Sequence, residues 1–404
     1  MNRYLTIILF VIAFTTISSC FTACRSSSTE NHTPSFQNDQ NRKTSQYPNT
    51  SYTSTSYESN IPNTPYQEEK DALVIQNMID QAKSAGQTEV VIPKINPVSG
   101  KSIYNIGSTI YLPSDISVIL DGCVLRFEDG VFCNMFASVG ALDASGASAV
   151  ATAQKNIKII GKNGATLDGG TPNGKTERTV SKNESIIWNS FILFRNVDTF
   201  EVSGLTIKES RYWGMTYYYA RNGKIHDIHF NSSNKSPNQD GIDLRTGCNN
   251  IEIYNISGVT GDDTIALTNL AHNVDMRYII DGISDVDIHD ITIKNINAGC
   301  SGGHGIIRLL AHDTRKVYNI TIDNVRDTSL DGKGAKCNAI IRIGDTNYSS
   351  VSVQDYGDIT NVNISNVSAN SNVAILVNNS KITPNDVTYK NITSTGQIIA
   401  FKKA

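Results

Sequence analysis

The sequence predicts an all-β protein that coils as a parallel β-helix, with a capping helix at its N-terminal end. Two observations carry that reading. The first is a phrase that returns from residue 200 onward: IEIYNISGV from Ile251, ITIKNINAG from Ile291, ITIDNVRDT from Ile320, VNISNVSAN from Val362 and VTYKNITST from Val387. Its aliphatic positions alternate with period two, as in a strand with one buried face, and the Asn that follows can adopt a bend while bonding neighbouring backbone. Asn255, Asn295, Asn324, Asn366 and Asn391 therefore occupy one structural position. The second observation is a shorter strand after each phrase or between phrases: DGIDL at Asp240, DTIAL at Asp263, HGIIR at His304, NAIIR at Asn338 and NVAIL at Asn372. Strand-only units of this length cannot bury a face alone and must stack, which places equivalent positions of neighbouring coils about 4.8 Å apart. A β-sandwich would need hairpin turns, and NG or DG pairs are few.

The remaining elements follow in order. The stretch EEKDALVIQNMIDQAKSAG from Glu68 carries Leu73, Val74, Met78, Ile79 and Ala82 at helical spacing and stops at Gly86. It is the capping helix, closing the open end of the coil. TEVVIPKI and ISVILDGCVLRF then read as early coils, so residues 68–404 form one β-helix domain.

The 404 residues are 18% charged and 39% hydrophobic, enough for a large core. A formal charge of −3 with no basic, aromatic-interleaved cluster argues against nucleic acid as partner. Arg3 precedes an apolar run from Leu5 to Ile17 that suits a secretory signal better than a membrane span. ISSC ending at Cys20 and FTAC ending at Cys24 resemble the lipobox of bacterial lipoproteins, with Cys20 the better fit because Ile17 is aliphatic. The expectation is residues 1–24 as leader and lipobox, export, and a lipid anchor as the sole membrane contact. Residues 25–67, rich in Ser, Thr, Asn, Gln and Pro, read as a disordered tether. Cys123, Cys133, Cys248, Cys300 and Cys337 show no metal-ligand spacing, so neither metal nor cofactor is expected. One disulfide, Cys123 with Cys133, is considered. A monomer is expected.

The heads of the short strands form a column: Asp240, then Asp262 with Asp263, then His304 between two glycines, then Asn338 with Arg342. The step from Asp240 to Asp263 is one coil. The longer step from Asp263 to His304 holds an extra segment, Asn269 to Ser284, read as a loop walling a cleft. Like charges this close resist ionising together, so one carboxyl keeps its proton while another stays charged. Glycoside hydrolysis needs that division, with one acid to protonate the leaving oxygen and one carboxylate to activate water or attack. Asp262 and Asp263, as strand neighbours, should point to opposite sides.

Other residues get plainer readings. Asp243 and Asp287 read as turn formers, and His226, His229, His272 and His289 as ordinary surface or core residues. Arg308 and Arg342 stack as substrate ligands or as a solvated ladder. Tyr212 and Trp213 are a sugar platform or packing, and both readings stay open.

NQDG at Asn238, GDD at Gly261, GHG at Gly303 and RIG at Arg342 resemble, in order, the N-T-D, G/Q-D-D, G-H-G and R-I-K motifs of the polygalacturonase family of glycoside hydrolases. The similarity spans roughly residues 70 to 400. It implies a right-handed β-helix that hydrolyses the pectin backbone with inversion. It also implies Asp262 as general acid, Asp240 and Asp263 as the pair activating water, His304 tuning the acid and Arg342 binding substrate; Asn238, Arg308 and Trp213 are further candidates for substrate contact. Two departures stand out: the family's carboxylate-binding lysine is Gly344 here, and the gap from GDD to GHG is long. Competing readings are a β-helix polysaccharide lyase using calcium, and a non-catalytic glycan-binding β-helix.

Overall fold

The structure, a computed structural model, describes residues 70–141, 152–176, 179–180, 186–270, 279–280, 282–344 and 357–402. The leader, Cys20, Cys24, the 25–67 tether and His272 lie outside the described residues.

Among the described residues the strands form a 14-stranded and a 10-stranded sheet, and every pairing in both is parallel. Successive coils contribute alternately to each, as a parallel β-helix requires. The repeated phrase explains the coil's corner. Ile251 and Ile253 are buried, Asn255 takes φ +56°, and Ile256 is buried again, so one left-handed residue resets the alternation and turns the strand without exposing its apolar face. Asn295, Asn324, Asn366 and Asn391 do the same, with φ between +54° and +57°. Their side chains form a ladder: Asn295 Nδ2 donates to Asn255 Oδ1 at 3.2 Å, Asn324 to Asn295 at 2.9 Å, and Asn391 to Asn366 at 3.1 Å. Each rung satisfies a polar group that the bend would otherwise leave idle.

Inside, the columns are aliphatic. Ile253, Ile293, Ile322 and Ile364 stack in register in the larger sheet, and Ile242, Ile265, Ile307, Ile341 and Ile375 in the smaller. All are buried. Each is worth about 1.5–3 kcal/mol relative to exposure.

The helix Asp71–Ser84 closes the N-terminal end, but on a different face from the one its apolar spacing suggests. Ala72, Ile75, Met78, Ile79 and Ala82 are buried, whereas Leu73 is 49% exposed and Val74 only partly covered. Polar pins set that rotation. Asp71, wholly buried, accepts from the Asn105 amide at 2.7 Å. Gln76 accepts from Tyr111 N at 2.7 Å and donates to Tyr111 O at 3.1 Å, giving the edge of the Ile110–Leu112 strand the partners a further strand would supply.

Cys123 and Cys133 are not joined to each other, so the disulfide considered from the sequence is not formed. Burial in the core pushes the Cys123 thiol up to about 12. Of the extra segment after Asn269, residues 271–278 and 281 lie outside the described residues. Ile280 and Ile283 pack on the aromatic cluster that covers the outer face of the smaller sheet, and the Ile280 amide donates to Tyr219 Oη at 3.3 Å.

Candidate active site

The loops that lead into the strands of the 10-stranded sheet line one rim of the molecule. Pairing of Ile242 with Ile265 and of Ile265 with Ile307 puts Asp240 level with Asp263, as the one-coil step predicts. His304, however, is level with Asp262, and Gly305 is the residue level with Asp263. The strand phrases alone align His304 with Asp263; the true register is shifted by one residue. The shift brings His304 Nδ1 to 3.6 Å from Asp262 Oδ1. It also explains Gly305, where an added Cβ would stand 3.2 Å from Asp263 Oδ1.

Backbone bonds between coils hold the acids. The amides of Gly261 and Asp262 donate to Gln239 O at 3.0 and 3.2 Å, and Gln239 Nε2 donates to Ser210 O at 2.5 Å. Thr260 Oγ1 donates to Asp262 O at 2.6 Å, and the Asp263 amide donates to Asp262 Oδ1 at 3.0 Å. Asp262 and Asp263 sit in this loop rather than in a strand, so the expected opposite pointing does not apply. One oxygen each from Asp240, Asp262 and Asp263 lies within 4.8 Å of the others.

That crowding is electrostatically costly. Burial, then Asp262, Asp243 and Asp263, push the Asp240 carboxyl well above the usual carboxylate range, against the pull of Arg308. Burial and then Asp263 raise Asp262, while His304 and Arg308 oppose. Asp262 keeps part of its side chain open to solvent, Asp263 none, and His304 half. Arg308 Nε lies 3.1 Å from Asp263 Oδ2, an ion pair whose angle is unsuited to a hydrogen bond. These three acids are the group among the described residues that could hold a metal ion.

Asp243 is not the turn former its sequence context suggests. It stands mid-strand, 1% exposed, with Oδ2 lacking a hydrogen-bond partner. Burial pushes its carboxyl well up; Arg245 opposes, and Asp263 and Asp262 add to the rise. Register places Asp243, Ala266, Arg308 and Arg342 in one outward column, so the two arginines do stack and an acid shares their face. The one-residue misalignment of the phrases concealed this relation.

The other expected ligands fare differently. Asn238, at φ +56° and half-buried, shapes the loop before Asp240. Trp213 is only 4% exposed: it stacks on Tyr212 at 4.8 Å and the Arg245 guanidinium covers it at 4.4 Å, so its ring is packing and offers no open face. Gly344 ends the Arg342 strand at φ +71°, and a Cβ there would lie 2.5 Å from Asn379 Cβ. His226 and His289 stack on Tyr254 and Tyr318, away from the acids, as their plain reading expects. Under the His304 turn the buried Cys300 thiol donates to Gly261 O at 3.5 Å and the Cys337 thiol to Ala335 O at 3.7 Å, and the neighbouring thiols shift each other, Cys300 down and Cys337 up.

The glycosyl hydrolases family 28 model matches residues 87–401. An exopolygalacturonase of Zea mays is 27% identical over 252 residues, 59% of this chain and 55% of its own length. The chain thus spans about half the length of the curated relatives it matches. Two solved structures share the fold. One is a hyperthermoactive exopolygalacturonase from Thermotoga maritima, with a TM-score of 0.52 at 16% identity over 80% of this chain and 82% of that one. The other is a polygalacturonase from Erwinia carotovora ssp. carotovora, with a TM-score of 0.51 at 16% identity over 81% and 93%. With a match that takes in every rim residue from Trp213 to Gly344, the chain belongs to glycosyl hydrolases family 28.

Proposed function

We propose that the chain hydrolyses glycosidic bonds in a galacturonic-acid-containing, pectic polysaccharide or oligosaccharide, with inversion. The observation that supports hydrolysis best is the set of three carboxyl groups within 4.8 Å on one rim, with an imidazole 3.6 Å from Asp262, while inversion is what the family resemblance implies. Asp262, the partly open member, donates its proton to the leaving glycosidic oxygen as the carbon–oxygen bond breaks. Asp240 and Asp263 hold a water between them, take one of its protons, and its hydroxide adds to the sugar carbon. Crowding keeps a proton in the triad above the ordinary carboxylate range, and that proton belongs to the coupled group. His304, with Nδ1 3.6 Å from Asp262 Oδ1, pairs with Asp262 electrostatically and orients it. Arg308 and Arg342, stacked on the outward column, bind the sugar's carboxylate, a task suited to fixed guanidinium forks.

The missing lysine is consistent with this assignment of the arginines. At Gly344 a side chain would be strained by its positive φ and would collide with Asn379, so the charge has to come from another position. Export behind the residue 1–24 leader, acylation of Cys20 or Cys24, and a 25–67 tether would hold a monomeric enzyme at a bacterial cell surface or in the periplasm, where pectic cell-wall fragments are met.

The test is reducing-end release from homogalacturonan, its oligomers, rhamnogalacturonan and xylogalacturonan, with ultraviolet absorbance of unsaturated product read in parallel, with and without chelator. New reducing ends that survive chelation and carry no such absorbance are expected. Chelator-sensitive absorbance would instead mark a lyase, and silence on every substrate a binding protein.

A further inference from the structure

The sequence holds two tryptophans, and the structure treats them oppositely. Trp213 is packed away, while Trp188 is 40% exposed on the same rim. Trp188 stands four residues before Ile192, and Phe132 four before Phe136, its register partner. The two rings thus occupy one rim position in adjacent coils, with centroids 5.8 Å apart and tilted by 53°. Lys175 Nζ lies 5.3 Å from the Phe132 centroid.

The backbone around these rings is fixed. Asn173 Nδ2 donates to Val131 O at 2.8 Å and to Asn189 Oδ1 at 2.7 Å, and Asn189 Nδ2 returns a bond to Asn173 Oδ1 at 3.1 Å. Arg211 Nη1 donates to the same Val131 carbonyl at 2.8 Å. An aromatic pair of which Trp188 is exposed and Phe132 half-buried, held by these bonds, is the kind of surface that binds without a large ordering cost.

Following the rim from Trp188, pairing of Ile192 with Met215, Met215 with Ile242 and Ile242 with Ile265 reaches the Asp240 coil in two steps and the Asp262 coil in three. At one strand spacing per step these lie about 10 Å and 14 Å away. A chain of sugars bound at the acids and running along the rim reaches Trp188 a few residues from the bond being cut.

We infer that Trp188, Phe132 and Lys175 form a distal subsite for an acidic sugar, the rings taking its apolar face and the ammonium its carboxylate. The pairing of a flat apolar surface with a cation matches a uronate ring, which is apolar on one face and anionic at one edge. This rests on the reading that a pectic chain lies along the rim, and the test therefore does not depend on turnover.

In the full chain, iodide quenching of tryptophan fluorescence reads Trp188 selectively, because Trp213 is buried. Oligogalacturonides of increasing length are titrated into the Asp262→Asn protein, with calorimetry reporting binding separately. Protection of fluorescence by long oligomers but not by the shortest is expected, Phe132→Ala should reduce that protection, and by calorimetry Trp188→Ala and Lys175→Gln should each weaken long-oligomer affinity. In the active protein, Trp188→Ala should lower the ratio of kcat/KM on long to short oligomers about tenfold, mostly through KM. The inference is overturned if bound long oligomer leaves Trp188 fully quenchable, if short and long oligomers protect alike, or if no oligogalacturonide binds. Protection without hydrolysis would keep the subsite and sink the proposed activity.

Discussion

The asparagine corner and the acidic rim lie on the same coils and are built on opposite plans. At the corner five coils repeat the same residue, Asn255, Asn295, Asn324, Asn366 and Asn391, each at a φ near +55° and each bonded to the coil above through an Asn or, for Asn255 and Asn366, an Asp. At the rim every coil supplies something different: Trp188, Trp213, Asp240, Asp262, His304, Arg342. The corner's polar groups are satisfied, whereas the rim leaves the Asp263 carboxylate oxygens and the Asp243 Oδ2 atom buried without hydrogen bonds. Repetition makes the scaffold stable, and departure from repetition makes the site. Mutations at the corner should therefore cost stability and spare rate, and mutations at the rim the reverse.

Asp262→Asn should break the rim hardest, lowering kcat about 10³-fold or more while leaving thermal unfolding within a few degrees of wild type. A large loss of Tm with intact kcat would erase the distinction between the two regions.

Asp240→Asn sharpens it through pH. The folded-state pKa of Asp240 is raised above its unfolded value, so the folded state holds the extra proton and stability falls as pH rises from about 4 through the raised value. At pH 7 the neutral amide should add about 1 kcal/mol, a Tm rise of roughly 2–4 °C, while kcat falls about 10²-fold or more. Below about pH 4 the Tm gain should vanish. A lower Tm at neutral pH would show that Asp240 is structural.

Gly344→Lys, which restores the family's residue, should not restore a carboxylate site. With φ +71° and Asn379 in the way, a loss of about 2–3 kcal/mol measured by denaturant unfolding is expected, without improved KM on galacturonan. Asn295→Ala is the smallest of the set: loss of two ladder bonds and the bend preference should cost about 1–2 kcal/mol with kcat unchanged, and Asn295→Gly, which tolerates the bend, should cost less.

The regular half of the molecule was the legible half. Period-two apolar spacing and a repeated Asn announce a coil because each coil solves the same packing problem. The motif set NQDG, GDD, GHG and RIG picked out as candidates the acids, His304 and Arg342 for the same reason: short runs with fixed chemistry survive in one dimension. Register was harder, since HGIIR and DTIAL look aligned at their first residues while the buried Ile265 and Ile307 pair one residue apart. That single slip hid Asp243 behind a turn reading. The helix face was misjudged because Asp71 and Gln76, polar residues with distant partners, fix its rotation. Trp188 carried no local signal at all. Its exposure beside Phe132 exists only once the coils stack, and Trp213, whose sequence left platform and packing both open, is buried under Arg245.

The central claim is that this triad hydrolyses, with Asp262 as acid and a water held by Asp240 and Asp263. Time-resolved proton NMR of an oligogalacturonide digest reads it most directly, since the anomeric signal of newly released reducing ends appears before mutarotation. The account predicts the inverted anomer first, and no such signal from Asp262→Asn. Triad oxygens within 4.8 Å are closer than the roughly 6.5–9.5 Å carboxyl spacing usual for inversion, which makes the outcome informative. A retained anomer would turn one carboxylate into a nucleophile, and a vinyl proton of an unsaturated product would contradict hydrolysis altogether.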